Sequence, residues 1–192
     1  MQPPSPTIQA RMDVGHRFGE EARKLFPEGI MVEAEFWDRD GALAETAQCF
    51  DDSAGSVLFE AAFLHRDTFL RCDVLRKVSA ADWELWEVKS VKSPSALHIL
   101  DLAIQTYVVA ICLNELPRQQ SIVKAGIIHF GVSDSTFAWT DLTKQVNDLR
   151  SEVEQLITNG ITIRELEAAP QISIGKHCFR PYRCPFLGSA CR

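Results

Sequence analysis

Apolar residues recur along the chain with two different periods, and these periods divide it into alternating helices and strands. A stripe running from Val14 through Phe18 to Leu25 repeats every three to four residues and predicts a helix with Asp13 as its N-cap. Further helices are predicted at residues 40–50, 95–116 and 142–158, and strands at residues 30–36, 56–64, 69–79, 83–91 and 121–131. Residues 137–141 are predicted to lead into the last helix. Because strands and helices interleave around one antiparallel hairpin, we expect an α/β fold with a mixed sheet flanked by helices.

Charged residues interrupt the apolar runs of the central hairpin. Asp73 lies in its first strand, Glu87 lies in its second, and Lys89 follows Glu87 two positions later. Side chains alternate faces along a strand, so Glu87 and Lys89 point to the same side, and the hairpin brings Asp73 beside them. Two carboxylates and an amine at one edge of a sheet form a site for a hard divalent cation and a phosphate.

This order of residues resembles the core of the PD-(D/E)XK nuclease superfamily, in its RecB-like branch, which includes CRISPR-associated exonucleases. The first acid of the motif and the E-x-K triplet correspond to Asp73, Glu87 and Lys89, and the glutamine of the following helix corresponds to Gln105. The usual helix signature is Q-x-x-x-Y, whereas Tyr107 comes two residues after Gln105 and Val109 stands at the expected tyrosine position. The resemblance covers about residues 13–192 and implies a restriction-endonuclease-like fold.

The resemblance also implies a reaction, namely metal-dependent hydrolysis of phosphodiester bonds in DNA that is single-stranded or has free ends. Asp73, Glu87 and the Val88 carbonyl would then coordinate Mg²⁺ or Mn²⁺. Lys89 would orient the attacking water and stabilise the charge on phosphorus, and Gln105 would position the nucleotide or the lysine.

Other residues are candidates for the same site. His16 opens the first helix and shares a face with Glu20, where relatives often supply a His or Glu near the metals, although a solvated helix face is equally expected. Glu60 interrupts an apolar strand and is either a third acid of the site or an outward-facing residue, because a buried carboxylate is costly without a partner. Lys92 and Tyr107 are the candidate contacts to nucleic acid.

The C-terminal segment, residues 171–192, is a cysteine tail with a different chemistry. Its candidate ligands for iron or zinc are Cys178, Cys184, Cys191 and His177. Several RecB-like exonucleases hold a 4Fe–4S cluster with one upstream cysteine and three at the end, but residues 1–15 of this chain contain no cysteine. His177 or Cys49 is a possible substitute, and a 4Fe–4S cluster, a zinc ion and free thiols all remain open. We interpret Cys49, Cys72 and Cys112 as small core residues.

Composition indicates one globular domain with a small appendage. The chain has 192 residues, of which 46% are hydrophobic and 24% charged, and no apolar run long enough to span a bilayer. Residues 1–12 are expected to be a disordered or extended lead, residues 13–170 the nuclease-like domain, and residues 171–192 the metal-binding tail. The proline-rich start does not follow a secretory pattern, so we predict a cytoplasmic protein.

Charge leaves a second hypothesis open. The net charge of −6 is unusual for a protein that binds nucleic acid, although the segment 175–192 is locally basic. Together with the displaced tyrosine and the missing upstream cysteine, it favours an alternative, a catalytically inactive nuclease-fold module that binds nucleic acid or a protein partner.

Overall fold

The computed structural model describes residues 6–51, 56–133, 136–168, 172–180, 183–184 and 186–188. It falls into two compact units, Met1–Ile157 and Thr158–Arg192, and the boundary lies inside the last helix. The helices are α1 (Pro6–Arg23), α2 (Arg39–Asp51), α3 (Ala96–Asn114), α4 (Thr143–Asp148) and α5 (Arg150–Arg164), and a 3₁₀ helix covers Lys176–Cys178. The strands are β1 (Ile30–Met31), β2 (Val57–His65), β3 (Thr68–Lys77), β4 (Asp82–Val88), β5 (Ser121–Phe130) and β6 (Phe137–Asp141).

The first unit is built on one mixed sheet whose spatial order is β1-β2-β3-β4-β5-β6. Strands β2, β3 and β4 pair antiparallel, β4 pairs parallel with β5, and β6 pairs antiparallel with β5. A two-residue turn joins β2 to β3, and Arg66 and Asp67 both have positive φ there (45° and 65°), as a type I′ hairpin turn requires. The predicted mixed α/β sheet flanked by helices is therefore confirmed.

Both faces of the central strands are covered, which explains their nearly continuous apolar runs. On one face, Val57, Phe59, Val74, Trp86 and Ile128 form a core cluster with Phe26, the residue that follows α1 by a short turn. The other face carries α3, which contacts β2, β3 and β5. Ser95 caps α3 in a capping box with His98, so this helix has a well-defined start after β4.

Several elements differ from their predicted limits. Helix α1 begins at Pro6, so residues 6–12 are helical rather than disordered or extended, and a proline suits the first turn of a helix because it lacks only an N–H that would be unpaired there. Strand β1 contains only two residues. The segment Phe137–Asp141 is an edge strand rather than the approach to a helix, because its backbone pairs with β5.

The last predicted helix is also different. It is divided into α4 and α5 at Leu149 and continues to Arg164, beyond the predicted stop at Gly160. Glycine lowers helix stability by about 1 kcal/mol, which weakens an exposed turn without ending it.

Helix α3 is long and apolar enough to cross a membrane by length and composition alone. Of its most apolar window, 39% is buried inside the protein, where the helix packs on the sheet. This arrangement is consistent with the core helix of a soluble protein.

Candidate functional site

Strands β3 and β4 separate partway along their hairpin, and Asp73 lies where they part. Backbone pairing between the two strands ends at Val74 and Trp86, and β4 then continues beside β5 alone. In the gap, Oδ2 of Asp73 accepts a hydrogen bond of 2.7 Å from the backbone N–H of Val88. We call this place the β3–β4 fork, comprising Asp73, Glu87, Val88 and Lys89. At this point the Asp73 carboxylate accepts the hydrogen bond that a backbone carbonyl of a paired strand would otherwise accept, so the backbone of β4 fixes its position.

Lys89 links the fork to helix α3. Its Nζ lies 2.6 Å from Oε1 of Glu87 and 2.9 Å from Oδ2 of Asp101. The other Glu87 oxygen, Oε2, accepts a hydrogen bond of 2.8 Å from Nε2 of Gln105. The buried Oε1 of Gln105 has no hydrogen-bond partner in the described part of the chain, which leaves an acceptor available beside the carboxylates. The E-x-K pair and the helix glutamine therefore lie at one place in the structure.

Burial makes both fork carboxylates hard to ionise, and at Asp73 the charges of neighbouring carboxylates add to this effect. Burial, followed by the charges of Glu87 and Glu60, raises the pKa of Asp73 well above its usual range, although the Val88 N–H and Lys89 oppose the shift. Burial also raises the pKa of Glu87, and the charge and hydrogen bond of Lys89 offset only part of it. Two close carboxylates in this state are stabilised by an added cation, because its charge favours their ionised forms.

Lys89, unlike the two carboxylates, is held in its charged form. Burial alone would lower the pKa of its ammonium group, but the charge of Glu87 and the hydrogen bonds to Glu87 and Asp101 outweigh burial and raise it. The group therefore stays protonated at neutral pH. It can stabilise negative charge, but it cannot act as a free base that removes a proton from water.

Glu60 lies opposite Asp73 in an unusual backbone conformation. The neighbouring pairs are Phe59 with Val74 and Ala61 with Cys72, while Glu60 itself has φ of 56° in the middle of β2. A non-glycine residue there costs about 1–3 kcal/mol, a strain that persists only where the surroundings enforce it.

Arg71 supplies part of that enforcement. Its guanidinium donates to the carbonyls of Glu60, Ala34 and Val32 at 3.2, 2.8 and 2.9 Å, and its Nε lies 3.6 Å from the Glu60 carboxylate. The contacts tie the segment after β1 to the strained residue. Backbone strain therefore coincides with the acidic cluster.

A cavity of about 410 Å³ opens on the other side of Asp73, between the fork and helix α1. Its sheet side is lined by Glu60, Asp73, Val74 and Val88, and its helix side by Gly15, His16, Gly19, Glu20 and Arg23. The structure thus places His16 and Glu60 in the same cavity as Asp73. Their assignment as metal ligands remains a prediction.

The two candidate nucleic-acid contacts lie in different surroundings. Lys92 is exposed in the loop that follows β4. Tyr107 is buried, with its ring 6.3 Å from the ring of His65 and 5.5 Å from the guanidinium of Arg150. Two residues along a helix point to nearly opposite sides, so Tyr107 faces away from Gln105. A role for either residue in binding DNA stays a prediction.

The donors at the fork suit a hard divalent cation, since carboxylate and carbonyl oxygens are the ligands that Mg²⁺ and Mn²⁺ prefer. Within the described ranges, however, no three His, Cys, Asp or Glu side chains are already gathered as metal ligands. Lys89 holds one Glu87 oxygen and Gln105 holds the other. A cation bound by Glu87 and Asp73 would therefore replace the ammonium group at Glu87, and Asp101 remains to hold that group nearby.

The second unit contains the cysteine tail. Cys178 is buried at the end of the 3₁₀ helix, Cys184 is half-buried, and the N–H of Cys184 donates to the Cys178 carbonyl at 2.8 Å. Both are free cysteines and His177 is exposed, whereas Cys191 lies outside the described residues. Of the three cysteines expected in the core, Cys72 is buried, and Cys49 and Cys112 are partly exposed.

Sequence reasoning gave no role to two residues that the structure places at the site. Asp101 holds Lys89, and a signal was available, since it lies one helical turn before Gln105 on α3. Arg23 lines the cavity and lies one turn after Gly19 on α1. Helical spacing was the only sequence signal for either residue.

Comparison with known proteins adds little to this geometry. No model of a protein family and no curated protein matches the chain. Among the solved structures that match is one described as "Crystal structure of SSO0001", with 12% sequence identity, a TM-score of 0.30, and coverage of 77% of this chain and 86% of that one. A likeness this weak carries no argument about fold or function.

Proposed function

We propose that this protein is a metal-dependent nuclease that hydrolyses phosphodiester bonds of DNA, and that its sheet is a restriction-endonuclease-like fold. The observation that carries the proposal is the β3–β4 fork. There a carboxylate fixed on a backbone N–H lies next to an ion pair between the buried Glu87 and the partly buried Lys89, and Glu87 also accepts a hydrogen bond from a helix glutamine.

Each residue of the fork has a definite task. Asp73, Glu87 and the Val88 carbonyl would hold Mg²⁺ or Mn²⁺, which when bound polarises the phosphate and lowers the pKa of a bound water. The protonated Lys89 stabilises negative charge on the phosphate oxygens and orients the water through its N–H groups. Gln105 fixes the rotamer of Glu87 and offers its free Oε1 as a further acceptor.

The charge of the cavity sets a condition on the proposed substrate. Glu20, Glu60 and Asp73 line the cavity beside α1, so a polyanion enters it only when cations offset these carboxylates. We propose DNA that is single-stranded or has free ends as the substrate, and the cytoplasm as the location. The cysteine tail is proposed to hold an accessory iron–sulfur cluster or zinc ion.

A cleavage assay tests the proposal. Labelled single- and double-stranded DNA is incubated with wild type, Lys89→Ala and the matched control Lys144→Ala in Mg²⁺, Mn²⁺ or EDTA. Lys144 is an exposed lysine that forms a surface ion pair with Asp148, so its removal should leave cleavage unchanged. We expect Lys89→Ala to lose about 100-fold or more of the activity. Cleavage by Lys89→Ala at the wild-type rate would rule out the fork as the active site.

A second function is favoured by one observation, that both oxygens of Glu87 are already engaged by Lys89 and Gln105. A fork held in this state describes a nuclease fold that binds nucleic acid without cutting it. Fluorescence anisotropy with the same oligonucleotides separates the two functions. The binding module predicts affinity that does not depend on Mg²⁺ and no product at any metal concentration.

A further inference from the structure

The cavity beside the fork contains one permanently charged cation as well as carboxylates. Among its described lining residues, Glu20, Glu60 and Asp73 are acidic, and the guanidinium of Arg23 is the permanent positive charge. Arg23 lies in the last turn of α1 on the same face as His16 and Glu20, because these positions are separated by three, four and seven residues. The helix thus presents a cation to the space that Asp73 faces.

Arg23 differs from the two other cations near the fork. Arg71 is held by three carbonyls, and Lys89 is held by two carboxylates. Arg23 forms no side-chain hydrogen bond or ion pair within the described part of the chain, although Glu20 and Glu60 line the same cavity. A partly buried guanidinium with all its donors available is suited to an anionic ligand.

Glycines leave the helix surface next to Arg23 without side chains. Gly15 and Gly19 both line the cavity and are one turn apart. A Cβ atom added to Gly19 would lie 4.0 Å from an Nη atom of Arg23, so the guanidinium extends back along the helix over Gly19. The missing side chains let a ligand approach the guanidinium and the helix backbone closely.

We propose that Arg23 binds a backbone phosphate of the nucleic acid strand, next to the phosphate that is held at the fork. This phosphate subsite rests on the proposed function, since it assumes that the strand runs through the cavity past Asp73. The planar guanidinium donates two parallel N–H groups to a phosphate, and it supplies the positive charge that the acidic cavity otherwise lacks. The ligand class is thus a phosphodiester anion, recognised without regard to base sequence.

The test couples a protein change to a substrate change. Short labelled DNA strands carry a single uncharged methylphosphonate linkage, placed at a different position in each strand. Their affinity is measured by anisotropy in Ca²⁺ for wild type, Arg23→Gln and the control Arg17→Gln. Arg17 is an exposed arginine of the same helix that does not line the cavity, so the two variants lose the same charge.

Arg23→Gln should weaken binding of the all-phosphate strand about tenfold and reduce the salt slope by about one, whereas Arg17→Gln should change it little. In wild type, one methylphosphonate position should weaken binding to a similar extent. At that position Arg23→Gln should lose nothing more, because the contact is already absent. The subsite would be overturned if the two arginine variants lost the same affinity, or if Arg23→Gln remained as sensitive as wild type to the methylphosphonate at every position. A wild type that does not bind DNA would overturn it as well.

Two glycine variants check the geometry without touching the arginine. Gly19→Ala should raise helix stability and retain binding, because its Cβ makes only an ordinary contact with Arg23. Gly19→Leu should lose affinity as Arg23→Gln does, since the larger side chain fills the space over which the guanidinium lies. Full binding by Gly19→Leu would contradict the proposed position of the phosphate.

These binding measurements do not depend on cleavage, so the two proposals fail separately. If Lys89→Ala cuts like wild type while the Arg23 coupling is present, the nuclease assignment at the fork fails and the phosphate subsite stands. If cleavage requires Lys89 but Arg23 shows no coupling to any linkage, the subsite fails and the nuclease assignment stands.

Discussion

The β3–β4 fork and the cysteine tail both gather reactive side chains, but they hold them in different ways. At the fork, Asp73 is bonded to the backbone of β4, and Glu87 and Lys89 are locked to each other and to α3. In the tail, Cys178 ends a short 3₁₀ helix, Cys184 follows six residues later, and a backbone hydrogen bond links the two. The fork arranges its side chains before any ligand binds.

The two regions differ in what determines the positions of their side chains. Residues on paired strands inherit their positions from the strand period and the sheet register, so the fork is determined by folding alone. Thiolates on turns are positioned largely by the metal they bind, because binding and ordering occur together. Loss of a fork residue should therefore damage function without loss of fold, and loss of a tail residue should act mainly on metal content.

The largest effect is expected for Asp73→Asn. The asparagine keeps an acceptor for the Val88 N–H but removes the carboxylate, so cleavage should fall about 100-fold or more. In EDTA, at pH values above the raised pKa of Asp73, the variant should melt at a higher temperature than wild type, because it removes a buried charge that lies near Glu87 and Glu60. Wild-type cleavage by this variant would show that the fork is not the centre of the reaction.

The same substitution carries a pH signature. Since folding raises the pKa of Asp73, the folded protein binds a proton more readily than the unfolded chain, and the ionised group destabilises the fold above the raised pKa. That destabilisation disappears as the pH falls through the raised pKa. The melting-temperature gain of Asp73→Asn should hence be largest at pH values above the raised pKa and shrink as the pH falls through it, as measured by thermal scans in EDTA over a range of pH. A gain that is the same at every pH would contradict the raised pKa.

The next largest effect concerns the strained residue of β2. Glu60→Gly removes the cost of a left-handed conformation and should stabilise the protein by about 1 kcal/mol in urea unfolding. Cleavage should fall about tenfold if the carboxylate contributes to cation binding. Glu60→Gln is the matched control, because it keeps the strain and loses only the charge. If the glycine variant were less stable than wild type, the contacts of Glu60 with Arg71 and its place in the strand register would contribute more free energy than the left-handed conformation costs.

A smaller effect is expected for Asp101→Asn. Without this carboxylate the Lys89 ammonium depends on Glu87 alone, so it competes more strongly with a divalent cation for the same oxygen. The Mn²⁺ concentration needed for half-maximal cleavage should rise several-fold, with less change in the rate at saturating Mn²⁺. A titration of the rate against Mn²⁺ measures both quantities. An unchanged half-maximal concentration would show that Asp101 does not position Lys89.

The smallest effect on catalysis is expected in the tail. Cys184→Ser should lower the iron or zinc content of anaerobically purified protein, measured by elemental analysis, and change the cleavage rate by no more than about twofold. Loss of cleavage as complete as that of Asp73→Asn would remove the distinction between the two regions.

The sequence was most informative where a short period fixes the geometry. Alternation along β4 placed Glu87 and Lys89 on one side, and the structure joins them at 2.6 Å. The predicted hairpin also put Asp73 next to them. The sequence did not predict that pairing would end at Val74, because strand separation depends on how β4 pairs with both β3 and β5. The resemblance alone suggested Gln105 as a site residue, and packing of α3 on the sheet determines that its hydrogen-bond partner is Glu87.

Other features depend on context that a single sequence does not contain. The positive φ of Glu60 accompanies tertiary contacts with Arg71, while local preference would place a glutamate in a regular strand. Helix α1 extends to Pro6 and β6 replaces a loop, because pairing and packing outweigh weak local signals. The roles of Asp101 and Arg23 become visible only when two elements face each other.

The shared position of β4 also bears on the order in which the chain assembles. Strands β2, β3 and β4 are joined by short turns, whereas β4 and β5 come together only after the long crossover through α3. Closing a short loop costs less entropy and occurs sooner, so we expect β3 and β4 to pair before β5 pairs with β4. Pairing of β3 with β4 stops at Val74, where the Asp73 side chain accepts the Val88 N–H, and β5 later pairs with the opposite edge of β4. We therefore expect Asp73, the residue proposed for catalysis, also to limit how far β3 and β4 pair during folding.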